Sequence, residues 1–322
     1  MMKKFSTVLF VLLVVSLYGF LIHSFFSEDD DYELFFATAA NGTPSEMQEL
    51  LRGGANVNRR DAIGSTALIL AADRNMDPGM IEVLVAAGAD VNALNDGGLS
   101  PLMAAADRNT NPAVLTALVN AGAELNRIAD DSFFPLLASV LVNPSQEVIF
   151  ELIRLGADVN LADRNGITPL IAACFNNRGA DVVEALLNAG AEANARNMSG
   201  TSALSFAVAG IDSLRITEML LEAGADVNAA SNRGFTALHF AVVGGGANPD
   251  VISLLIERGA EINPVNDVGL TPLMAAALGA ADAGTVSLLR AAGADLNARD
   301  NEGRTAFDIA QDTEGADYSL FE

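Results

Sequence analysis

One five-residue pattern recurs along the chain at an almost constant distance. It reads Gly-Ala, then Asp, Glu or Asn, then a variable residue, then Asn. Its eight copies begin at Gly54, Gly88, Gly122, Gly156, Gly190, Gly224, Gly259 and Gly293. Successive copies are 34 residues apart, except for one interval of 35 before Gly259. A period of this length predicts a solenoid, in which each repeat buries its apolar face only against its neighbours.

A second marker comes twelve residues after most of these glycines, as Thr or Ser followed two residues later by Leu or Phe. The hydroxyl predicts the N-cap of a first helix, and a second cap such as Asp77-Pro78 predicts the start of another. The glycine then ends the second helix in the left-handed conformation. Asn-rich stretches such as Asp163-Arg164-Asn165-Gly166 have the turn chemistry of a hairpin finger. The predicted unit is therefore helix, loop, helix and finger.

This unit resembles the ankyrin repeat, whose usual core is Thr-Pro-Leu-His-x-Ala. The chain has Thr168-Pro169-Leu170 at one such core, and it retains the His of that core only at His239. The segment from residue 129 to residue 160 is the most divergent, with Ser132 in place of Gly and Phe134 in place of Thr. The resemblance covers about residues 31–316.

The resemblance implies an all-α fold class, an ankyrin-repeat solenoid of stacked helix-loop-helix units with hairpin fingers. One N-terminal hydrophobic helix is predicted in addition. The predicted domains are residues 1–27, a signal anchor, and residues 28–322, the ankyrin-repeat domain. That domain divides into an N-terminal cap at 31–58, seven full repeats at about 59–297 and a C-terminal partial repeat at 298–322.

The first residues predict a membrane segment. After Lys3 and Lys4 the chain is apolar from residue 5 to residue 26, and an acidic run begins at Glu28. Twenty-two helical residues at about 1.5 Å each reach roughly 33 Å, enough to cross a bilayer core. The two lysines place the repeat domain on the non-cytoplasmic side, in the periplasm or outside the cell. The alternative is a cleaved signal peptide and a secreted protein, but a small-residue cleavage site is missing.

Composition limits the partners and cofactors. The chain has 41 acidic and 18 basic residues, for a formal net charge of −23. Such a surface repels nucleic-acid phosphates, so no nucleic-acid partner is expected. The charge is typical of a solvated surface, and a basic partner is the alternative. The sequence predicts no metal and no cofactor, because no Cys/His cluster has zinc-ligand spacing and Gly244-Gly245-Gly246 lacks the phosphate-loop context.

Residues suited to catalysis are scarce. His23 lies in the apolar segment, His239 occupies the structural position of the repeat, and the single cysteine, Cys174, stands where the repeat needs a small buried residue. The sequence therefore predicts that the protein is not an enzyme. The alternative is a hydrolase site around His239, which would require a cleft with a carboxylate beside the ring.

The resemblance implies a concave face of fingers and inner helices on which a protein partner docks. The early repeats offer Asp73, Arg74, Asp107 and Arg108 there, and the middle repeats offer the apolar residues Phe133, Leu141, Ile167, Phe175 and Phe235. Apolar residues exposed in such number indicate an interaction patch, although some of them could pack between neighbouring fingers. We therefore predict a monomeric scaffold that binds an unidentified protein. A spacer with a wholly polar concave face is a further alternative.

Overall fold

The computed structural model describes residues 28–129, 133–210, 212–243 and 248–322. This part of the chain forms seventeen α-helices and a final 3-10 helix at Tyr318–Phe321, and its only β-pairing consists of three isolated bridges in the fingers. The all-α solenoid prediction is confirmed for the described residues. No helix among them is long and apolar enough to cross a membrane. The predicted anchor at residues 1–27 lies outside them.

Odd-numbered helices form the inner row and even-numbered helices the outer row. The inner helices are α1 Glu28–Asn41, α3 Ala67–Arg74, α5 Pro101–Arg108, α7 Pro135–Val142, α9 Pro169–Phe175, α11 Ala203–Ala207, α13 Ala237–Ala241, α15 Pro272–Leu278 and α17 Ala306–Asp312. The outer helices are α2 Pro44–Arg52, α4 Pro78–Ala86, α6 Pro112–Asn120, α8 Gln146–Arg154, α10 Ala180–Asn188, α12 Ser213–Glu222, α14 Pro249–Glu257 and α16 Ala283–Ala291. Each inner helix packs on its neighbouring inner helices, and each outer helix on its neighbouring outer helices.

The predicted caps start the helices. Thr66 accepts a hydrogen bond from the backbone N–H of Ile69 at the start of α3, and Asp77 accepts one from Gly79 at the start of α4. Phe134 precedes α7 without a side-chain cap. Burial holds Phe134 instead, since only 1% of the residue is exposed. The divergent repeat therefore replaces a polar cap with apolar packing.

The core is one continuous column between the two helix rows. Its outer-helix contribution is a leucine that recurs once per repeat and is fully buried each time. This residue is Leu84, Leu118, Leu152, Leu186, Leu220, Leu255 and Leu289 in successive repeats. The inner helices contribute small residues such as Ala71 and Ala72, which are also fully buried. Small side chains let the helix axes approach closely, which explains why the chain is rich in alanine.

The eight pentapeptide glycines end the outer helices as predicted. Each has a positive φ, from 87° at Gly224 to 96° at Gly293. Any other residue would bring its Cβ into conflict with its own backbone at this φ. We call the turn formed by each pentapeptide the outer turn, and the segment from there to the next inner helix the finger.

Each fully described finger is folded by its own Asp, Asn or Ser. In the finger that precedes α9, one carboxylate oxygen of Asp163 accepts from the backbone N–H groups of Asn165 and Ile167, at 2.8 and 2.7 Å. Neighbouring fingers that are both fully described are joined edge to edge by a backbone bond, such as Met198 N–H to Asn165 O at 2.7 Å. The predicted turn chemistry is confirmed in these fingers.

The last Asn of the pentapeptide has a role that the sequence did not indicate. Asn92 donates from Nδ2 to Gly122 O of the next outer turn at 3.0 Å and accepts from Glu124 N–H at 2.9 Å. We call this pair of bonds the outer clamp. The same pair is made by Asn58, Asn92, Asn160, Asn194, Asn228 and Asn263. One amide side chain thus fixes the distance between successive repeats.

A second amide clamp joins the loops between the two helices of each early repeat. Asn109 is 1% exposed, and its Nδ2 donates to the carbonyl oxygens of Ala72 and Asn75, both at 2.9 Å. Asn75 and Asn143 make the equivalent bonds. In the next repeat Arg178 takes over and donates to the carbonyls of Val140, Asn143 and Ser139. This loop clamp therefore joins the loops of neighbouring repeats through side chain to backbone hydrogen bonds.

Candidate protein-binding surface

Five consecutive inner helices, α7, α9, α11, α13 and α15, contain no Asp, Glu, Lys or Arg. By contrast, α3 ends in Asp73-Arg74, α5 ends in Asp107-Arg108, and α17 contains Asp308. A chain of net charge −23 thus keeps its charged residues off one continuous part of the inner row. Depletion of charge is what distinguishes the centre of a protein interface from the surrounding surface.

We call the side formed by the inner helices, the fingers and the loops between helices the front face. Its uncharged part carries a row of apolar side chains, which we call the apolar strip. The strip consists of Val142, Phe175, Phe206, Phe240, Val243 and Leu278. Phe175 is 63% exposed, Val142 and Val243 are each 53% exposed, and Leu278 is 48% exposed, while Phe206 and Phe240 are half-buried.

The centre of the strip is an aromatic pair from neighbouring repeats. The rings of Phe175 and Phe206 meet edge to face, with centroids 5.3 Å apart and planes at 80°. This geometry is the favourable one for two aromatic rings. The contact orients Phe175 and leaves most of its surface to solvent, so the ring is presented in a defined position.

The outer helices expose no large apolar residues in the described part of the chain, in contrast to the front face. Among the described residues, no large hydrophobic side chain with high exposure lies on an outer helix. Apart from those at the two ends of the array, Leu34 and Tyr318, all lie on inner helices, in fingers or in the loops between helices. The outer side has the composition of a solvated surface, whereas the front face does not.

The five apolar residues predicted from the sequence occupy two separate places. Leu141 and Phe175 lie at the C-terminal ends of inner helices, where Leu141 is half-buried against the core. Phe133, Ile167 and Phe235 lie at the bases of fingers. There Phe133 is 37% exposed, Ile167 packs on the core and Phe235 is half-buried. Their role in binding stays a prediction.

Phe206 and Phe240 are strip residues that the sequence did not single out. Both occupy the x position of the Thr-Pro-Leu-His-x-Ala core, where four other repeats have Ala104, Ala138, Ala172 and Ala275. A large aromatic residue at a position that holds alanine in four other repeats was the signal by which the sequence could have identified them.

The charged residues predicted in the early repeats bind one another. Arg74 Nε lies 3.0 Å from Asp73, and Arg108 Nε lies 3.1 Å from Asp107 and 3.9 Å from Asp73. The two arginines are largely exposed, so water screens these pairs and each contributes little to stability. The network forms a charged border at the N-terminal end of the apolar strip.

Three arginines of the front face have no carboxylate partner among the described residues. Arg164 is exposed at a finger and makes no hydrogen bond or ion pair within that part of the chain. Arg196 donates to the carbonyl of Ala230 at 2.9 Å, and Arg178 binds only the carbonyls of the loop clamp. Desolvation lowers the pKa of Arg178, yet a guanidinium remains charged at any physiological pH.

Charge is divided between the two sides of the repeats. From residue 133 to residue 299 the sequence has seventeen acidic and nine basic residues. Thirteen of the acidic residues but only four of the basic ones lie on outer helices and outer turns. The outer side of this segment therefore carries a charge of −9, and the front face carries +1.

His239 has a structural role. The residue is fully buried, Nδ1 lies 2.9 Å from Thr236 Oγ1, and Nε2 lies 3.1 Å from Leu270 O of the next repeat. Burial lowers its pKa, which the bond to Leu270 partly opposes. Within the described part of the chain the ring nitrogens are bonded to Thr236 and Leu270, and no carboxylate is bonded to them.

Cys174 is 3% exposed, and desolvation raises its pKa to about 12. A thiol in this state is a poor nucleophile, because the thiolate is the reactive form. Among the described residues, no group of His, Cys, Asp and Glu is arranged to hold a metal ion. Gly244-Gly245-Gly246 lies outside the described residues.

Comparison with known families agrees with this architecture. The family described as Ankyrin repeats (3 copies) matches residues 34–129, 136–231 and 238–318. Ankyrin repeats (many copies) matches residues 212–256. No curated protein matches the chain. The family matches cover most of the sequence and follow the helix pairs described above, and the chain therefore belongs to the ankyrin-repeat family.

Proposed function

We propose that this chain is a non-enzymatic scaffold that binds one protein partner, or a small set of partners, on the front face of its middle repeats. The observation that carries the proposal is the run of five uncharged inner helices with an exposed apolar strip. Ankyrin repeats generally bind proteins, so the family supports the same class of function.

The energetic cost of the strip favours a binding role over a spacer role. Exposed apolar surface lowers solubility, and the stacking of repeats is already provided by the clamps and the leucine column. A spacer needs only a polar front face, and the inner helices of the early repeats end in the polar network of Asp73, Arg74, Asp107 and Arg108. The middle repeats instead have uncharged inner helices and the exposed apolar strip, which are the features expected of a protein-binding surface.

We further propose that residues 5–26 tether the scaffold to a membrane, with the repeats on the non-cytoplasmic side and the chain monomeric. The length and apolar character of this segment support the proposal, as do the two lysines before it. The secreted form, released by cleavage after the segment, is the alternative. The N-terminal residue and intact mass of the protein isolated from its own cells distinguish the two. A mature N-terminus near residue 28 would refute the tether.

Cross-linking tests the scaffold. The full chain in its native membrane is cross-linked, and its partners are identified by mass spectrometry. We expect the double variant Phe175→Ser and Val243→Ser to lose at least one partner that the unaltered chain retains. The matched control is Met76→Ser, since Met76 is 48% exposed but lies in a loop outside the strip. Equal recovery of every partner by all three chains would refute binding at the strip.

A further inference from the structure

We propose that the solenoid has one compliant edge. The loops between the two helices of each repeat form a row, which we call the loop edge. From α11 onward, neighbouring repeats separate and return at the loop edge, while their outer turns stay joined. This is a motion built into the fold, and it does not depend on the proposed function.

The loop clamp holds the N-terminal part of the loop edge. Its donor position lies nine residues after the N-cap of the inner helix, and in the first four repeats that have one it holds Asn75, Asn109, Asn143 and Asn177. The first three are at most 6% exposed and donate to carbonyls of the preceding repeat at 2.9 to 3.1 Å. In the fourth, Arg178 makes such bonds. Separating these loops breaks buried bonds that water replaces poorly.

The same position in the later repeats has no amide side chain. It holds Ile211, Gly245 and Ala280. Moreover, no side chain within residues 208–212, 242–247 or 279–282 donates a hydrogen bond at neutral pH, since these residues are apolar, glycine or Asp. Ile211 and Gly245 lie outside the described residues, but the identity of their side chains is sufficient here. The loop clamp therefore cannot form in these three repeats.

The loop before α16 has a different backbone conformation from the clamped loops. Ala280 has a φ of 50°, in the left-handed region, whereas Asn109 at the same repeat position is extended, with φ −71° and ψ 133°. The backbone N–H groups of Gly279, Ala280 and Ala281 donate to carbonyls of α15, in their own repeat. These donors are therefore not available to the neighbouring loop.

Two further features weaken the later loop edge. Asn111, the N-cap of α6, donates from Nδ2 to Met76 O of the preceding repeat at 2.6 Å, whereas Asn248, the N-cap of α14, reaches Ser213 Oγ only at 3.4 Å. The second distance is longer than that of an ordinary hydrogen bond. In addition, α11 and α13 have five residues each, against eight in α3, α5 and α7. Less of each later helix reaches the loop edge.

The opposite ends of the same repeats stay joined. Asn263 donates to Gly293 O at 3.0 Å and accepts from Asp295 N–H at 2.9 Å, so the outer clamp is complete there. The fingers are bonded as well, with Asp267 N–H donating to Arg233 O at 2.9 Å. A repeat that is held at its outer turn and finger but not at its loop moves by tilting about the held end.

The consequence falls on the apolar strip. Phe175, Val243 and Leu278 lie at the C-terminal ends of inner helices or just beyond them, next to the loop edge. Their mutual distances therefore change as the later repeats tilt. The front face combines an N-terminal part of fixed geometry with a C-terminal part that adjusts to what it contacts.

The test measures the distribution of distances between two nitroxide labels by electron paramagnetic resonance, on the full chain in mild non-ionic detergent. Each chain carries Cys174→Ala and one pair of cysteine substitutions, so that only this pair is labelled. Arg74→Cys with Arg108→Cys marks the clamped part of the loop edge, and Val243→Cys with Leu278→Cys marks the later part. All four positions are exposed. We expect a wider distribution for the later pair, because locally weaker contacts allow larger excursions.

Matched control pairs lie at the outer turns of the same two joints. They are Asp90→Cys with Glu124→Cys and Glu261→Cys with Asp295→Cys, all at exposed positions. Both control pairs should give narrow distributions of equal width, because the outer clamp is present at both. A Glu261 and Asp295 distribution as wide as that of the later loop pair would show that whole repeats move apart, which would overturn the tilt.

Removing the clamp tests its causal role. Asn109→Ala, added to the Arg74 and Arg108 pair, should widen that distribution toward that of the later pair. The substitution of Arg108 also removes its 3.9 Å contact with Asp73 across the joint, so this ion pair does not narrow the distribution. An unchanged distribution after Asn109→Ala would overturn the inference. Equal widths for the two loop-edge pairs before that substitution would overturn it as well, and neither measurement requires a partner.

Discussion

The loop clamp offers the sharpest test of how the repeats are held together. Replacing Asn109 with Ala removes two hydrogen bonds from Nδ2, to Ala72 O and Asn75 O, and a third from Asn111 N–H to Oδ1, all at 2.9 Å. Asn109 is 1% exposed, so the carbonyls left behind gain little access to water. At about 1 kcal/mol for each lost bond, we expect the substitution to cost about 3 kcal/mol of unfolding free energy.

Asn92→Ala makes the same chemical change at the outer clamp of the same repeat. It removes two hydrogen bonds, at 3.0 and 2.9 Å, from a side chain that is half-exposed. Water can replace both of these bonds at least in part, so we expect a cost of about 1 kcal/mol. Comparing the two variants isolates burial, because the substituted residue and the replacement are identical.

Urea unfolding of the full chain in mild non-ionic detergent, followed by helical circular dichroism, measures both variants. Repeat arrays unfold as neighbouring units whose coupling depends on the interfaces between repeats. We therefore expect Asn109→Ala to broaden the transition as well as to shift it, and the amide of Asn111 to exchange hydrogen faster. A cost for Asn109→Ala no greater than that for Asn92→Ala would refute the reasoning from burial.

Three further predictions concern side chains of contrasting exposure. Phe175→Ser should change the unfolding free energy by less than about 1 kcal/mol and Phe134→Ser by about 3–5 kcal/mol, since these residues are 63% and 1% exposed; equal urea midpoints would contradict this. Cys174, with a pKa raised to about 12, should react with a disulfide reagent at about pH 8 more than about a hundredfold more slowly in the folded chain than in urea; comparable rates would show that the thiol is accessible. For His239, burial lowers the pKa in the folded chain below the ordinary value of 6.5. Below that pH the unfolded chain binds a proton that the folded chain does not, so the free energy of unfolding decreases as the pH is lowered. The stability advantage over His239→Gln should therefore shrink between about pH 7.5 and about pH 5.5, and a constant difference in urea midpoint would refute it.

The sequence predicts the repeat architecture because the same local signals recur at the same positions of successive repeats. A cap such as Thr66 or Asp77 and a helix-ending glycine such as Gly88 act within a few residues, so their effect is visible in the pattern itself. The amide clamps act across about one repeat, from Asn92 to Gly122 and from Asn109 to Ala72. Their asparagines are visible in the sequence, but their partners are backbone groups that any residue would supply.

The candidate surface is predicted only in outline for a related reason. Sequence reasoning placed Phe175 and Phe235 together because both are aromatic and lie in the middle repeats. In the structure Phe175 contacts Phe206, whereas Phe235 contacts His239 and the strip residue Phe240. Position within the repeat decides which residues meet, and the type of residue does not. The charge asymmetry between the two sides likewise depends on assigning each carboxylate to an outer or an inner element.

The outer clamp separates two properties that most folds combine. Each clamp asparagine hydrogen-bonds the main chain of the next repeat, at the carbonyl of Gly122 or Gly190 for example, and the clamp bonds involve no side chain of the front face. Substitutions at Val142, Phe175 or Leu278 can therefore accumulate without altering the distance between repeats. Stacking and the apolar strip thus depend on different residues, so the binding surface of this chain can be altered by substitution while the architecture is kept.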